Sequence, residues 1–244
     1  MVNTKLSAKI IIIGNEILSG KTQDINTNFM ANFLTKKGIA VKEVRIIPDI
    51  EEDIIQTILE LKDSCDFIFT SGGIGPTHDD ITSEAIAKAL NRKYEINQEA
   101  FVLLQEFYSH KPYPFNEARQ KMAYMPRGAK LIKNDISTAP GFNIENIYVM
   151  AGVPNIMQNM LENLADELPN SEEIYSKTIE IHEPEGNIAI AYGELQKKHP
   201  EIEMGSYPFE RNGQWCTNLV FRGINRQLIE QISSEFVNTL GISK

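Results

Sequence analysis

Thr70-Ser71-Gly72-Gly73-Ile74-Gly75-Pro76-Thr77-His78-Asp79-Asp80-Ile81-Thr82-Ser83-Glu84-Ala85 is the run of residues on which both the fold and the chemistry turn. Phe67 to Thr70 is a short apolar run of strand type, and Ala85, Ile86, Ala89 and Leu90 recur at helical spacing beyond it. A strand therefore empties into three glycines, and a helix begins a few residues later. Glycines let the backbone turn tightly and bring N–H groups against a ligand with no Cβ in the way. The helix start adds free N–H donors and the positive end of a dipole, which together favour an anion. Open α/β sheets bind ligands at the carboxyl ends of their strands, which is where this turn falls. A plain strand–helix connection is the competing reading of the same glycines.

Working outward, strands and helices alternate. Ala8 to Ile13 is a continuous apolar run closed by Gly14, as in a strand buried on both faces. Ile25, Phe29, Met30, Phe33 and Leu34 mark a helix that Gly38 stops. Val41 to Ile47 is a second strand ending at Pro48, and Ile50 to Leu59 an amphipathic helix. Such crossovers build a parallel sheet covered by helices on both faces. Further on, the pattern predicts a helix over Gln98 to His110, broken at Lys111-Pro112. Strands follow at Ala129 to Ile132, Gly141 to Ile144 and Ile147 to Met150, the last two joined by a tight Glu145-Asn146 turn. A helix after Pro154 ends at Pro-Asn-Ser 169–171. Residues 172–176 read as a linker. Lys177 to Ile181, Glu185 to Lys197, Glu201 to Tyr207, Trp215 to Arg222 and Leu228 to Leu240 then give a β-α-β-β-α order. This predicts an α/β domain over 1–170 and a small α+β split sandwich over 171–244.

Three strand ends each deliver an acid to one rim: Glu16 after the first, Asp49 after the second, Asp79 and Asp80 after the third. Helix capping is the competing explanation for Asp49, Asp79, Asp80 and Thr82, but one cap needs one residue. Beside a phosphate cradle, a carboxylate can hold a divalent cation that bridges protein and phosphate oxygens. His78 reads as an exposed loop side chain.

The chain carries 33 acidic against 24 basic residues, a formal charge of −9. Phosphate contacts to nucleic acid need the opposite balance, so no nucleic-acid partner is expected. An adaptor in which Tyr207, Phe209 and Trp215 stack on bases stands behind a reading of these aromatics as a small core or a lid. The longest aliphatic run, Ile10 to Ile13, is too short for a membrane span. With two distant cysteines and no evident secretory leader, the expected compartment is the cytoplasm.

Several ordered motifs carry a family resemblance. Gly14-Asn15-Glu16-Ile17-Leu18-Ser19-Gly20 with Asp24-Ile25-Asn26-Thr27-Asn28 resembles the opening of the CinA (competence/damage-inducible) family, where Asp is commoner than Asn15. Pro48-Asp49 and Thr70 to Ala85 are similar to the signature of MoaB/Mog molybdopterin-binding domains. Thr138-Ala139-Pro140-Gly141-Phe142 and Gly152-Val153-Pro154 match two later CinA-type motifs, with Ala151 in place of the usual Pro. Glu185 to Ala189 and Gly205-Ser206-Tyr207-Pro208 resemble the small CinA-type domain and part of the molybdopterin-like region of FAD synthase. Longer CinA proteins carry a further deamidase domain, which is not expected in this chain.

The resemblance implies a three-layer α/β/α domain with a mainly parallel sheet, binding a nucleotide or pterin that bears phosphate. It implies a pyrophosphatase acting on ADP-ribose or FAD with magnesium, manganese or cobalt. Asp49 and Asp80 would be catalytic, and Asp80, Asp49, Asp79 and Glu16 the metal candidates. Thr70, Ser71, Gly72, Gly73, Gly75 and Thr82 would hold the ligand. Molybdopterin binding, adenylyl transfer and a non-enzymatic nucleotide-binding scaffold stay open as alternatives. The resemblance also implies a homo-oligomer, either a dimer or a trimer.

Overall fold

Four consecutive isoleucines, Ile10 to Ile13, cannot all face one way in an extended chain, because successive side chains point to opposite faces. In the computed structural model, which describes residues 6–169, 172 and 174–240, they lie in strand β1 (Leu6–Ile13) and are buried on both sides. Along the chain follow α1 (Asn15–Leu18), α2 (Asn26–Lys36), β2 (Ile39–Ile47), α3 (Glu51–Leu61), β3 (Phe67–Ser71) and α4 (Thr82–Ala89). Then come β4 (Tyr94–Ile96), α5 (Gln98–Ser109), α6 (Glu117–Gln120), a 3-10 turn (Lys121–Ala123), β5 (Tyr124–Pro126) and β6 (Lys130–Ile132). A hairpin of β7 (Gly141–Ile144) and β8 (Ile147–Met150) leads into α7 (Pro154–Asn163).

The main sheet has the order β2-β1-β3-β8-β7-β6, parallel from β2 to β8 and antiparallel at β7 and β6. Ile11 and Ile13 pack with Ile54 and Ile58 of α3, Ile86 of α4 and Leu104 of α5. Ile10 and Ile12 pack on the other face with Met30 and Leu34 of α2 and Met157 and Leu161 of α7. The result is the three-layer, mainly parallel architecture expected from the sequence. Register decides the site: Ile13 pairs with Ile47, Ile12 with Ser71, and Ser71 with Met150. The carboxyl ends of β2, β1, β3 and β8 therefore finish at one level.

Four short elements carry no signal in the sequence: α1, α6, the 3-10 turn and the two-stranded β4–β5 ribbon. Three or four residues are too few for either periodicity to register.

The chain divides into two compact units, the larger holding Leu6–Leu34 and Ile39–Pro169. The smaller, among the described residues, contains β9 (Tyr175–Ile181), α8 (Glu185–Lys198), β10 (Glu203–Arg211), β11 (Gln214–Gly223) and α9 (Arg226–Thr239). Its sheet is antiparallel, in the order β10-β11-β9, and its core gathers Ile188, Tyr192, Leu219, Phe221 and Phe236. Of the expected helix stop and linker, residues 170, 171 and 173 lie outside the described residues, while Tyr175 and Ser176 already belong to β9. Of the two expected roles for these aromatics, a small core or a lid, the core is corrected for Tyr207 and Trp215: they are 60% and 59% exposed, toward the hairpin end of their strands. No helix among the described residues is long and apolar enough to cross a membrane.

Two tests follow from the packing. Ile10→Ala empties a fully buried position and is expected to cost about 2–5 kcal/mol in urea unfolding. Burial, reinforced by Glu84 and Tyr124, pushes the Tyr94 phenol up to about 12. Its raised value means that its contribution to stability is intact below the ordinary phenol value and is lost as pH rises toward 12. Tyr94→Phe is expected to remove that alkaline step when unfolding is followed against pH.

Candidate functional site

The glycine turn begins where β3 ends. Gly72 adopts φ +115°, and a Cβ there would stand 2.0 Å from the Ile13 carbonyl oxygen. Gly73 follows at φ +69°, a region L side chains rarely adopt. Gly72 N donates to Met150 O (3.1 Å), and Gly14 N to Ile47 O (3.1 Å), so the loops leave their strands side by side.

A cavity of about 440 Å3 opens at this rim, lined by Gly72, Gly73, Gly75 and by Glu16, Asp49, Asp79 and Asp80. Its lining also holds apolar side chains, among them Tyr108, Met122, Pro140, Val153 and Ile156. This size and mixture of apolar wall with a few polar groups suits a small-molecule site.

Capping explains none of the carboxylates. The N-caps of α3 and α4 are Ile50 and Ile81, with no side-chain cap bond at either. Asp49 Oδ2 instead accepts from the backbone N–H of Asn15 (2.8 Å), fastening the end of β2 to the start of α1. Asp80 Oδ2 accepts from Thr77 N (2.8 Å) and from its hydroxyl (2.5 Å), and the same hydroxyl bonds to Asp79. That hydroxyl bond, with lesser help from the backbone and the charges of His78 and Lys121, holds the Asp79 carboxyl below the usual carboxylate range. A Cβ on Gly75 would come 2.7 Å from Asp80 Oδ2, so this carboxylate lies directly against the glycine turn.

Three expected ligand contacts are placed elsewhere. Thr70 is fully buried within β3, outside the cavity lining, because its side chain points into the sheet's packed face. Ser71 is 1% exposed; its hydroxyl donates to Ala151 O (3.0 Å) and accepts from Asn26 Nδ2 (2.9 Å). Thr82 is buried at the start of α4, and its backbone N–H donates to Gly73 O (3.0 Å). The Ser71 side chain ties the end of β3 to its neighbours, and none of the three lines the cavity. His78 is exposed.

Two asparagines escaped the sequence reading as site-building residues. Asn26, 6% exposed, donates from Nδ2 to Ser71 Oγ (2.9 Å) and Gly152 O (2.8 Å), stitching the start of α2 to the ends of β3 and β8. Its place beside the cap residue Asp24 looks like ordinary helix-start chemistry and hides the long-range role. Asn134 accepts from Ile136 N and Ser137 N and donates to Ser137 Oγ and Ala139 O. It thereby holds the loop that brings Ala139 and Pro140 to the cavity.

All four lining carboxylates are hard oxygen donors, but among the described residues no three His, Cys, Asp or Glu side chains cluster as a ready-made metal cage. That donor set fits a magnesium-like ion, which takes one or two carboxylates and completes its shell with water and substrate phosphate. It does not fit a structural zinc site.

The large unit is similar to known proteins. Residues 9–170 match the model of the probable molybdopterin binding domain. The chain belongs to that family. Residues 173–244 match the middle domain of FAD synthase. A Pyrococcus abyssi protein is 37% identical over 98% of both chains, and one from Archaeoglobus fulgidus is 35% identical over 82% of this chain and 84% of its own. The crystal structure of CinA from Thermoplasma acidophilum, described as of unknown function, is 31% identical with a TM-score of 0.61, covering 66% of this chain and 96% of that one. The molybdopterin-binding-domain fold of MoaB/Mog type is thus shown together with its CinA likeness.

Asn26→Ala removes two buried hydrogen bonds at the junction of three elements. It is expected to lower stability by about 1–3 kcal/mol, read from the midpoint of urea unfolding.

Proposed function

We propose that the chain is a divalent-metal-dependent nucleotide pyrophosphatase acting on substrates of the ADP-ribose or FAD class. The observation that carries this reading is that one cavity is lined both by a glycine turn and by carboxylates from three strand ends. The match of residues 173–244 to the FAD synthase middle domain supports a nucleotide substrate.

In this reading the backbone of Gly72 to Gly75 meets the diphosphate, because no Cβ keeps the phosphate oxygens away. Asp49 keeps one oxygen free of its bond to Asn15 and takes the role of positioning the attacking water. Asp80, which lines the same cavity as Asp79 and Glu16, offers oxygen ligands to magnesium, manganese or cobalt. The bound ion would withdraw charge from the phosphoryl oxygens and so favour attack on phosphorus. The apolar wall of Tyr108, Met122 and Ile156 receives the organic part of the substrate and keeps bulk water from it. Water adds to one phosphorus, the anhydride P–O bond breaks, and a nucleoside monophosphate leaves with the second phosphate ester.

Molybdopterin handling is the second reading, favoured by the match over residues 9–170. Calorimetry with molybdopterin against ADP-ribose separates the two by which ligand binds more tightly.

Purified protein with ADP-ribose or FAD and one of the three metals is expected to release nucleoside monophosphate, and a chelator to stop it. Asp80→Ala, checked for folding by its thermal midpoint, is expected to lose at least about a hundredfold in turnover. No release with any metal overturns the proposal.

A further inference from the structure

The cavity wall bears four carboxylates, and among the described residues none of its lining side chains is basic. A diphosphate adds further negative charge to that wall, so a basic side chain at the rim would lower the cost of bringing it in. Lys121, adjacent in sequence to a lining residue, is the candidate. It immediately precedes Met122, which lines the cavity, and Ala123, which is fully buried, so its backbone is fixed by its neighbours. Its Nζ donates to the carbonyl oxygen of Thr77 (2.5 Å). Thr77 is the residue whose N–H and hydroxyl hold Asp80 and Asp79. An ammonium has three N–H donors, and Thr77 takes one. Arg119, the other basic residue of this segment, is occupied by Pro114 O and by the rings of Tyr108 and Tyr113.

We infer that Lys121 is a substrate-binding residue of this site, donating from Nζ to phosphate oxygens of an anhydride-bearing substrate at the rim. The inference rests on the pyrophosphatase reading above. One donor anchors the Asp79–Asp80 turn through Thr77 O, which leaves two for incoming phosphate, so the group that braces this turn would also offset the acids' repulsion of the substrate.

The test is calorimetric titration of the full chain with magnesium pyrophosphate, alongside ADP-ribose turnover. Lys121→Gln keeps a donor for Thr77 O but removes the charge. It is expected to weaken pyrophosphate binding by about 10- to 100-fold, the range of a charged hydrogen bond, and to raise KM more than it lowers kcat. Lys121→Arg is expected to retain binding, and the affinity for adenosine, which has no phosphate, is expected to stay unchanged in every variant. Should Lys121→Gln unfold at a lower temperature, Lys121→Met is titrated under the same conditions, with the same loss expected. If pyrophosphate binds either neutral variant as tightly as it binds the unaltered chain, the inference about Lys121 falls while the pyrophosphatase reading stands. If the unaltered chain neither binds pyrophosphate nor hydrolyses ADP-ribose, both fall together.

Discussion

Gly72 stands where three strand ends come within contact of one another, and the geometry there permits no side chain. A Cβ would press on Ile13 O from β1, while Gly152, in the loop after β8, approaches so closely that its own Cβ would come 3.3 Å from the Gly72 Cα. Asn26 closes the arrangement from α2 by bonding to Ser71 and Gly152 together. The parallel register brings these ends level, and the absence of side chains lets them meet. Every other feature of the rim is hung from this junction. The turn that faces the cavity leaves from it, and so does the segment that carries Asp79 and Asp80.

Electrostatics then shape what the rim can hold. Four carboxylates line one cavity, an arrangement that disfavours a further negative charge there. The chain fixes Asp49 and Asp80 with backbone N–H groups and braces both loop acids with one threonine hydroxyl. Neutral donors of this kind orient carboxylates without cancelling their charge. The lining therefore keeps its negative charge while hydrogen bonds set its geometry in advance.

The smaller unit solves a different problem. Its two helices and antiparallel sheet bury a core of their own around Tyr192, Phe221 and Phe236. Burial among these residues raises the Tyr192 phenol far above its ordinary range, and its hydroxyl donates to Val220 O (2.9 Å). The unit thus has a packed and hydrogen-bonded interior of its own, while Tyr207 and Trp215 are left largely open to solvent.

The large-unit architecture was legible in the sequence because it is written in periodicity. The isoleucines of β1, the helical spacing from Phe29 to Leu34 and the glycines after Thr70 each specify local geometry through nearby residues. The same local logic placed acids at three strand ends. It could not distinguish a helix cap from a residue facing a shared cavity, since Asp before a helix serves either purpose. Only the folded sheet decides that Asp49 bonds to Asn15, 34 positions away, and that Asn26 reaches Ser71 and Gly152. It also decides that Thr70, Ser71 and Thr82 turn inward while Glu16 and Asp80 face the opening. Patterning within a segment follows from backbone periods of two and 3.6 residues, so the chain alone determines it. Which side chains meet across strand tips depends on register and loop direction, and those are settled when the packed layers close on one another.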